Sequence, residues 1–222
     1  MKKLLPQGIL HLFPVQDGFI FVAQEGEVDE KSIVAYKKCD LVKGVVEPIT
    51  RGTYLISKFG NSYEHFEDNP EDYVTCKTVS ISDDRLFVLH TDGRAEIYDI
   101  NGVPAWDGKL LYKGTPAQNV IAGPHSLWAS FSAAGAIKKY SLRTMHEELR
   151  IGGNNDTFQE PDGMWIESDF LLVCCAKAQK IIRVDLNTYT LEDYETFPEP
   201  VRQYIKVLSY EIVLLDSGVY LI

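Results

Sequence analysis

Five polar residues, Gln7, Lys77, Asn119, Asp162 and Gln203, each stand immediately before a short apolar stretch, at intervals that repeat along the chain. Glu47 falls near the same place between the first two. Polar groups that converge at one end of a fold make a ligand site. Amides, an ammonium and a carboxylate all hydrogen-bond a ligand. The competing reading is that residues entering strands are polar whatever they do. His125, beside Pro124 in a predicted hairpin, joins the candidates as a titratable group. The other histidines, His11, His65, His90 and His146, are dispersed. No Gly-x-Ser-x-Gly elbow, His-Glu-x-x-His pair or phosphate loop occurs, so nucleophilic, zincin and nucleotide chemistry have no motif here.

The elements that must hold these residues are legible in a repeat. Residues 79–101, 120–142 and 164–187 each read as an apolar strand, a turn, a longer apolar strand, a second turn, and an alternating strand ending in Asp or Ser. Strands show as alternation or as short apolar runs. A sheet-forming unit of about 40 residues, repeated, marks a β-propeller blade. The chain therefore reads as one all-β domain over residues 1–222, a propeller of four-stranded blades. Residues 77–118, 119–160 and 162–202 form the clearest blades, with 8–44 as the first. A compressed blade over 45–76 brings the count to six, and five is the alternative if that stretch elaborates its neighbour. Residues 203–222 supply only three strands. Residues 2–6, Lys-Lys-Leu-Leu-Pro, are expected to add the fourth and close the ring, which removes an open sheet edge. Trp106, in an outer turn, is expected to be exposed, and Trp128 and Trp165 to pack between blades.

Composition narrows the function classes. With 45% hydrophobic residues in 222, a large core is affordable and disorder is not expected. The formal net charge of −10, with scattered basic residues, argues against a nucleic-acid partner. No run of apolar residues is long enough for a membrane span. Pro6, Gln7 and His11 interrupt the apolar N-terminal run, so a cytoplasmic location is expected over secretion. The Asn155-Asp156-Thr157 sequon would matter only in the second case. Cys174 and Cys175 are adjacent in a predicted strand, so their side chains point to opposite faces. Pairing of Cys39 with Cys76 stays open. With no Cys-x-x-Cys motif, the thiols read as reduced.

The stretch Pro161-Asp162-Gly163-Met164, with Ile166 and then LLVCCAKAQKIIRVDLNT, resembles a blade of the senescence marker protein/gluconolactonase propellers and, more loosely, of NHL-repeat propellers. The resemblance covers about 30 residues well and the rest at the level of the repeat. It implies that Asp162 would bind a divalent metal, calcium or zinc, with Asn119 as second ligand. The family's glutamate ligand falls at Gln7, an amide in this chain, and Lys77 stands near the same rim.

Two functions follow from these residues. One is a non-catalytic scaffold that binds a protein or a small ligand at the channel mouth and needs no cofactor. The other is a metal-dependent lactonase or esterase in which a metal at Asp162 polarises a carbonyl and lowers the pKa of water.

Overall fold

The computed structural model describes residues 1–28, 31–49, 76–82, 85–99, 101–154 and 157–222. The chain begins with β1 (Lys2–Leu5). A first sheet follows, β2 (Ile9–Val15), β3 (Gly18–Val28), β4 (Lys31–Asp40) and β5 (Val45–Pro48). A second comprises β6 (Cys76–Ser82), β7 (Arg85–His90), β8 (Arg94–Asp99) and β9 (Pro104–Lys109). A small hairpin, β10 (Leu111–Tyr112) with β11 (Thr115–Pro116), leads to β12 (Asn119–Ala122), β13 (Ser126–Phe131), β14 (Ala136–Ser141) and β15 (Glu147–Gly152). The fourth sheet is β16 (Pro161–Glu167), β17 (Phe170–Cys175), β18 (Lys180–Asp185) and β19 (Leu191–Thr196). The last is β20 (Val201–Val207), β21 (Tyr210–Leu215) and β22 (Gly218–Leu221).

These strands form five antiparallel four-stranded sheets, blades I to V, arranged as a propeller. Blade V takes its fourth strand from the other end of the chain: Lys2 pairs with Leu221 and Leu5 with Val219. The expected closure by the N-terminal strand is thus present. The expected count of six is not: Val45–Pro48 does not begin a blade but forms the exposed outer strand of blade I, with Glu47 opposite Lys38. The remainder of the compressed unit, residues 50–75, lies outside the described residues, and so does His65.

In blades III and IV burial peaks in the second strand and falls to the outer edge, and the sequence follows it. The second strands β7, β13 and β17 are buried on both faces, which is why they read as apolar runs, broken in β13 only by the buried Ser130. The outer strands β15 and β19 are largely exposed and read as polar. Adjacent blades share apolar cores. Phe87, Leu89 and Ile97 of blade II meet Val120, Leu127 and Phe131 of blade III. Trp128 and Ile137 meet Met164, Leu171 and Val173 across the next junction. Leu172, Cys174 and Ile181 meet Tyr204, Val213 and Leu215. Leu12, Phe19 and Phe21 of blade I close against Ile205, Ile212 and Leu214 of blade V. Cys174 and Cys175 accordingly sit in two different junctions. Burial pushes the Cys175 thiol up to about 12 and Cys174 well above its usual range, so neither is a nucleophile at neutral pH. Cys39 is a buried free thiol. Trp106 is not exposed as expected: it lies partly buried against the II–III core, with its ring over Gly108, where a Cβ would come within 2.4 Å of it.

The Asp or Ser that ends the third strand of blades I to IV caps the turn after it. Asp40 Oδ1 accepts the Val42 and Lys43 amides, Asp99 Oδ1 those of Asn101 and Val103, and Asp185 Oδ1 those of Asn187 and Thr188. Ser141 Oγ accepts the Arg143 amide in the same way. These side chains hold local turns by mimicking backbone acceptors. Among the described residues no helix is long and apolar enough to cross a membrane.

Candidate functional site

Four of the five innermost strands carry a bulge near their first residues. Pairing slips between Ile9 and His11 in β2, between Cys76 and Thr78 in β6, between Pro161 and Met164 in β16, and between Val201 and Gln203 in β20. A bulge bends the strand and re-aims a side chain. Here the bulges place Leu10, Lys77, Asp162 and Arg202 at one end of the inner strands. The side chain of Lys77 lies outside the described part. Gly163 shares the bulge of Asp162 for a steric reason: a Cβ there would sit 2.6 Å from the Arg202 carbonyl oxygen and 2.9 Å from Gln203 Cα. Glycine lets the inner strands of blades IV and V approach closely. Asp162 therefore lies in the bulge at the start of β16.

Around these bulges lies a cavity of about 490 Å³, lined by Ile9, Leu10, His11, Gln118, Asn119, Asp162, Arg202, Gln203, Leu214, Leu215 and Asp216. Asp162, Asn119 and Gln203, which the repeat singled out, meet in it. Gln7 is exposed and does not line it. His125 lies elsewhere: it sits in the hairpin after β12, at the opposite end of that strand from Asn119, where its carbonyl accepts the Leu142 amide.

The mouth residues play different parts. Gln203 bridges the junction between the last blade and the first. Its Oε1 accepts the Leu12 amide at 2.8 Å, and its Nε2 donates to the Leu12 carbonyl at 2.8 Å. The side chain thus imitates one residue of a β-ladder, and its hydrogen-bonding groups are committed to holding the ring. Ser130 Oγ does related work at the junction of blades III and IV, donating to the Asp162 carbonyl at 2.7 Å. Ser132 Oγ donates to the Pro161 carbonyl, and Ser80 Oγ accepts the Ala122 amide. Asn119 is 7% exposed, and none of the described groups hydrogen-bonds its amide. Its polar end remains available to the cavity.

Charge in the cavity centres on Arg202, which the repeat pattern missed because it occupies the bulge one residue before Gln203. Its Nε donates to Asp216 Oδ1 at 2.8 Å, and its Nη1 lies 3.8 Å from Asp162 Oδ2. The hydrogen bond to Asp216 and the nearby Asp162 raise the guanidinium above its already high range. His11, which also lines the cavity, is held neutral: burial lowers its pKa to about 4. The mouth therefore offers one guanidinium, two carboxylates, amides and an apolar rim. Asp216 is taken up by the Arg202 guanidinium, so a divalent metal would rest chiefly on Asp162 and Asn119. Gln203 is committed to Leu12, and the Arg202 guanidinium stands where a second positive charge would be repelled. These residues do not fit a divalent-metal centre. Among the described residues no group of three or more His, Cys, Asp or Glu side chains is arranged to hold a metal.

Among the described residues, five four-stranded blades with a polar cavity at one end of their inner strands make a β-propeller. Known structures agree at that level. The chain superposes on the computationally designed Ika8 protein with a TM-score of 0.55 at 12% identity, over 96% of this chain and 70% of that one. It matches a chain of the nidogen/laminin complex with a TM-score of 0.55 at 12% identity, over 95% and 73%. It matches U3-55K with a TM-score of 0.57 at 9% identity, over 97% of this chain and 61% of that one. At such identities the likeness concerns fold alone. No protein-family model matches the sequence, and no curated protein does.

Proposed function

We propose that this propeller is a non-catalytic scaffold whose mouth cavity binds a small molecule or a protein segment. One observation carries the reading: the Asn119 amide, the Asp162 carboxylate and the Arg202 guanidinium converge on one cavity of about 490 Å³ with an apolar rim. Pockets of this size, with few polar groups on an apolar wall, suit small ligands. Arg202 suits a carboxylate, Asp162 and Asp216 suit an ammonium, and Asn119 suits an amide, so a zwitterionic or peptide-like ligand fits best. The reduced, deeply buried thiols favour a cytoplasmic setting.

The lactonase reading asks for a metal at Asp162. The nearby guanidinium and the committed Gln203 speak against that donor set, and the resemblance that suggested it rests on one blade. The test uses purified protein, a panel of dipeptides, and thermal shift as readout. A dipeptide that raises the melting temperature of the wild type, but not of Asn119→Leu or Arg202→Gln, is expected. Lactone or ester turnover stimulated by calcium or zinc, and abolished in Asp162→Asn, would replace this reading with the hydrolase. A dipeptide effect that survives both cavity variants would remove the mouth as the site.

A further inference from the structure

The chain has a net charge of −10, yet one place on it gathers positive charge. Tyr112, on the hairpin β10–β11 that interrupts the blade pattern, has three cations about its ring. Lys138 Nζ lies 4.4 Å from the ring centroid, the Arg150 guanidinium 5.3 Å and Lys113 Nζ 5.4 Å. Cations favour the negative face of an aromatic ring. Lys138 and Arg150 are direct cross-strand partners between β14 and β15, so two like charges share one face of blade III. Such pairs normally repel.

Compensation is incomplete. Lys138 is buried and pairs with Glu147 Oε2 at 2.7 Å. Lys113 Nζ donates to the Gly153 carbonyl, which is neutral. Arg150 is exposed, and among the described residues no carboxylate pairs with it or with Lys113. Three cations against one carboxylate leave a positive site at the outer rim.

The site is built, not scattered. The Tyr112 ring packs edge-on against buried Phe131 at 5.9 Å. Its hydroxyl lies against Gly153, where a Cβ would come within 2.7 Å of it. Leu111, beside it on the hairpin, is an exposed large apolar residue. β15 is the outer edge of its sheet.

The geometry points to a docking site here for an acidic segment of a partner protein, its carboxylates on Arg150 and Lys113 and an apolar neighbour on Leu111. A nucleic acid is a poorer occupant. It needs a stripe of cations along its backbone, and this cluster is compact around one ring. A lone phosphate would leave Leu111 and the tyrosine face unused. The site lies on the β10–β11 hairpin and blade III and owes nothing to the mouth cavity, so the two proposals stand or fall separately.

The test is fluorescence anisotropy with a labelled peptide of one leucine followed by six glutamates. Saturable binding is expected, weakening strongly when salt is raised to about 0.5 M. Lys113→Gln with Arg150→Gln should weaken it about tenfold or more. Both side chains are exposed, so the variant should fold, which its melting curve checks. Lys177→Gln, an exposed lysine of blade IV, should bind as the wild type does. Absence of saturable binding would overturn the proposal. So would equal binding by the double variant, displacement of the peptide by an equal concentration of inorganic phosphate, or tighter binding of a labelled single-stranded oligonucleotide.

Discussion

The mouth and the outer rim of this propeller handle positive charge in opposite ways. At the mouth, Arg202 lies between Asp216, hydrogen-bonded at 2.8 Å, and Asp162 at 3.8 Å. At the rim, Arg150 and Lys113 gather about the ring of Tyr112 with no carboxylate partner among the described residues. A site whose cation is already paired discriminates by hydrogen-bond pattern, because that cation exerts little free field on a ligand. An unbalanced one discriminates by charge, and salt screens it. The positioning differs as well. Mouth groups are held by hydrogen bonds that cross blade junctions, such as Gln203 to Leu12 and Ser130 to Asp162. Rim groups are held by an aromatic ring within one face. Perturbing the ring closure should therefore affect the mouth first.

The largest effect is expected from deleting residues 1–5. This removes β1, its pairing with β22 and the burial of Leu5, which is 7% exposed in the closed ring. Burying one leucine contributes about 2 kcal/mol, and several strand hydrogen bonds add about 1 kcal/mol each. A loss on the order of 5 kcal/mol should lower the melting temperature by roughly 10–20 °C in a domain of this size. Hydrogen exchange should accelerate in β20 to β22, which carry Arg202 and Gln203, before it does in β12 to β15. Uniform acceleration would mean that mouth and rim belong to one cooperative unit.

Gln203→Leu comes next. It keeps side-chain bulk but leaves the Leu12 amide and carbonyl without their partner. Each buried orphan costs about 1–3 kcal/mol, so a loss of roughly 2–5 kcal/mol is expected by denaturant titration. Gln203→Glu sharpens the point. A carboxylate can accept from the Leu12 amide but faces the Leu12 carbonyl, which raises its folded-state pKa; protonated, it can donate to that carbonyl. A raised folded-state pKa means that stability is fully present below the unfolded carboxyl pKa, about 4.3, and is lost as pH rises through the folded value. Relative to wild type, the variant should be weaker at pH 7 than at pH 4. If the ratio is flat with pH, the amide clamp is not what holds this junction.

The parts legible in the sequence were those that burial makes regular. β7, β13 and β17 are buried on both faces, so their apolar runs are unmistakable, and the Asp or Ser that ends the third strand of blades I to IV reports a turn that needs a side-chain acceptor. The missing strand of blade V was legible because residues 203–222 plainly stop one strand short. Outer strands are exposed and carry little pattern. Val45–Pro48 therefore passed for the start of a new blade, and the small hairpin that bears Tyr112 went unseen. The mouth was half legible for a geometric reason. A bulge shifts the side chain at the mouth by one position without changing residue types, so Gln203 stood out while Arg202, the charged member, did not. Gln7 was chosen by the same rule, although the bulge of β2 falls at Leu10. The rim was invisible because Tyr112, Lys138 and Arg150 come together only through strand register and a hairpin from outside the blade.

The smallest expected effect isolates the rim. Gly153 has φ of +108°, and a Cβ on it would lie 2.7 Å from the Tyr112 hydroxyl and 3.4 Å from two ring carbons. Gly153→Ala should cost about 1–3 kcal/mol in backbone strain and also push the ring away from its cations. Gly114→Ala in the tip of the same hairpin provides the control: its φ is +77°, yet nothing lies within 4 Å of its Cβ position. Both variants should lose a few degrees of melting temperature, but only Gly153→Ala should also weaken binding of the leucine–glutamate peptide, because only there does the new methyl move Tyr112. Neither should alter a dipeptide effect at the mouth. Equal peptide binding by the two variants would show that the tyrosine merely covers the core, and that the cations around it are placed by the strands alone.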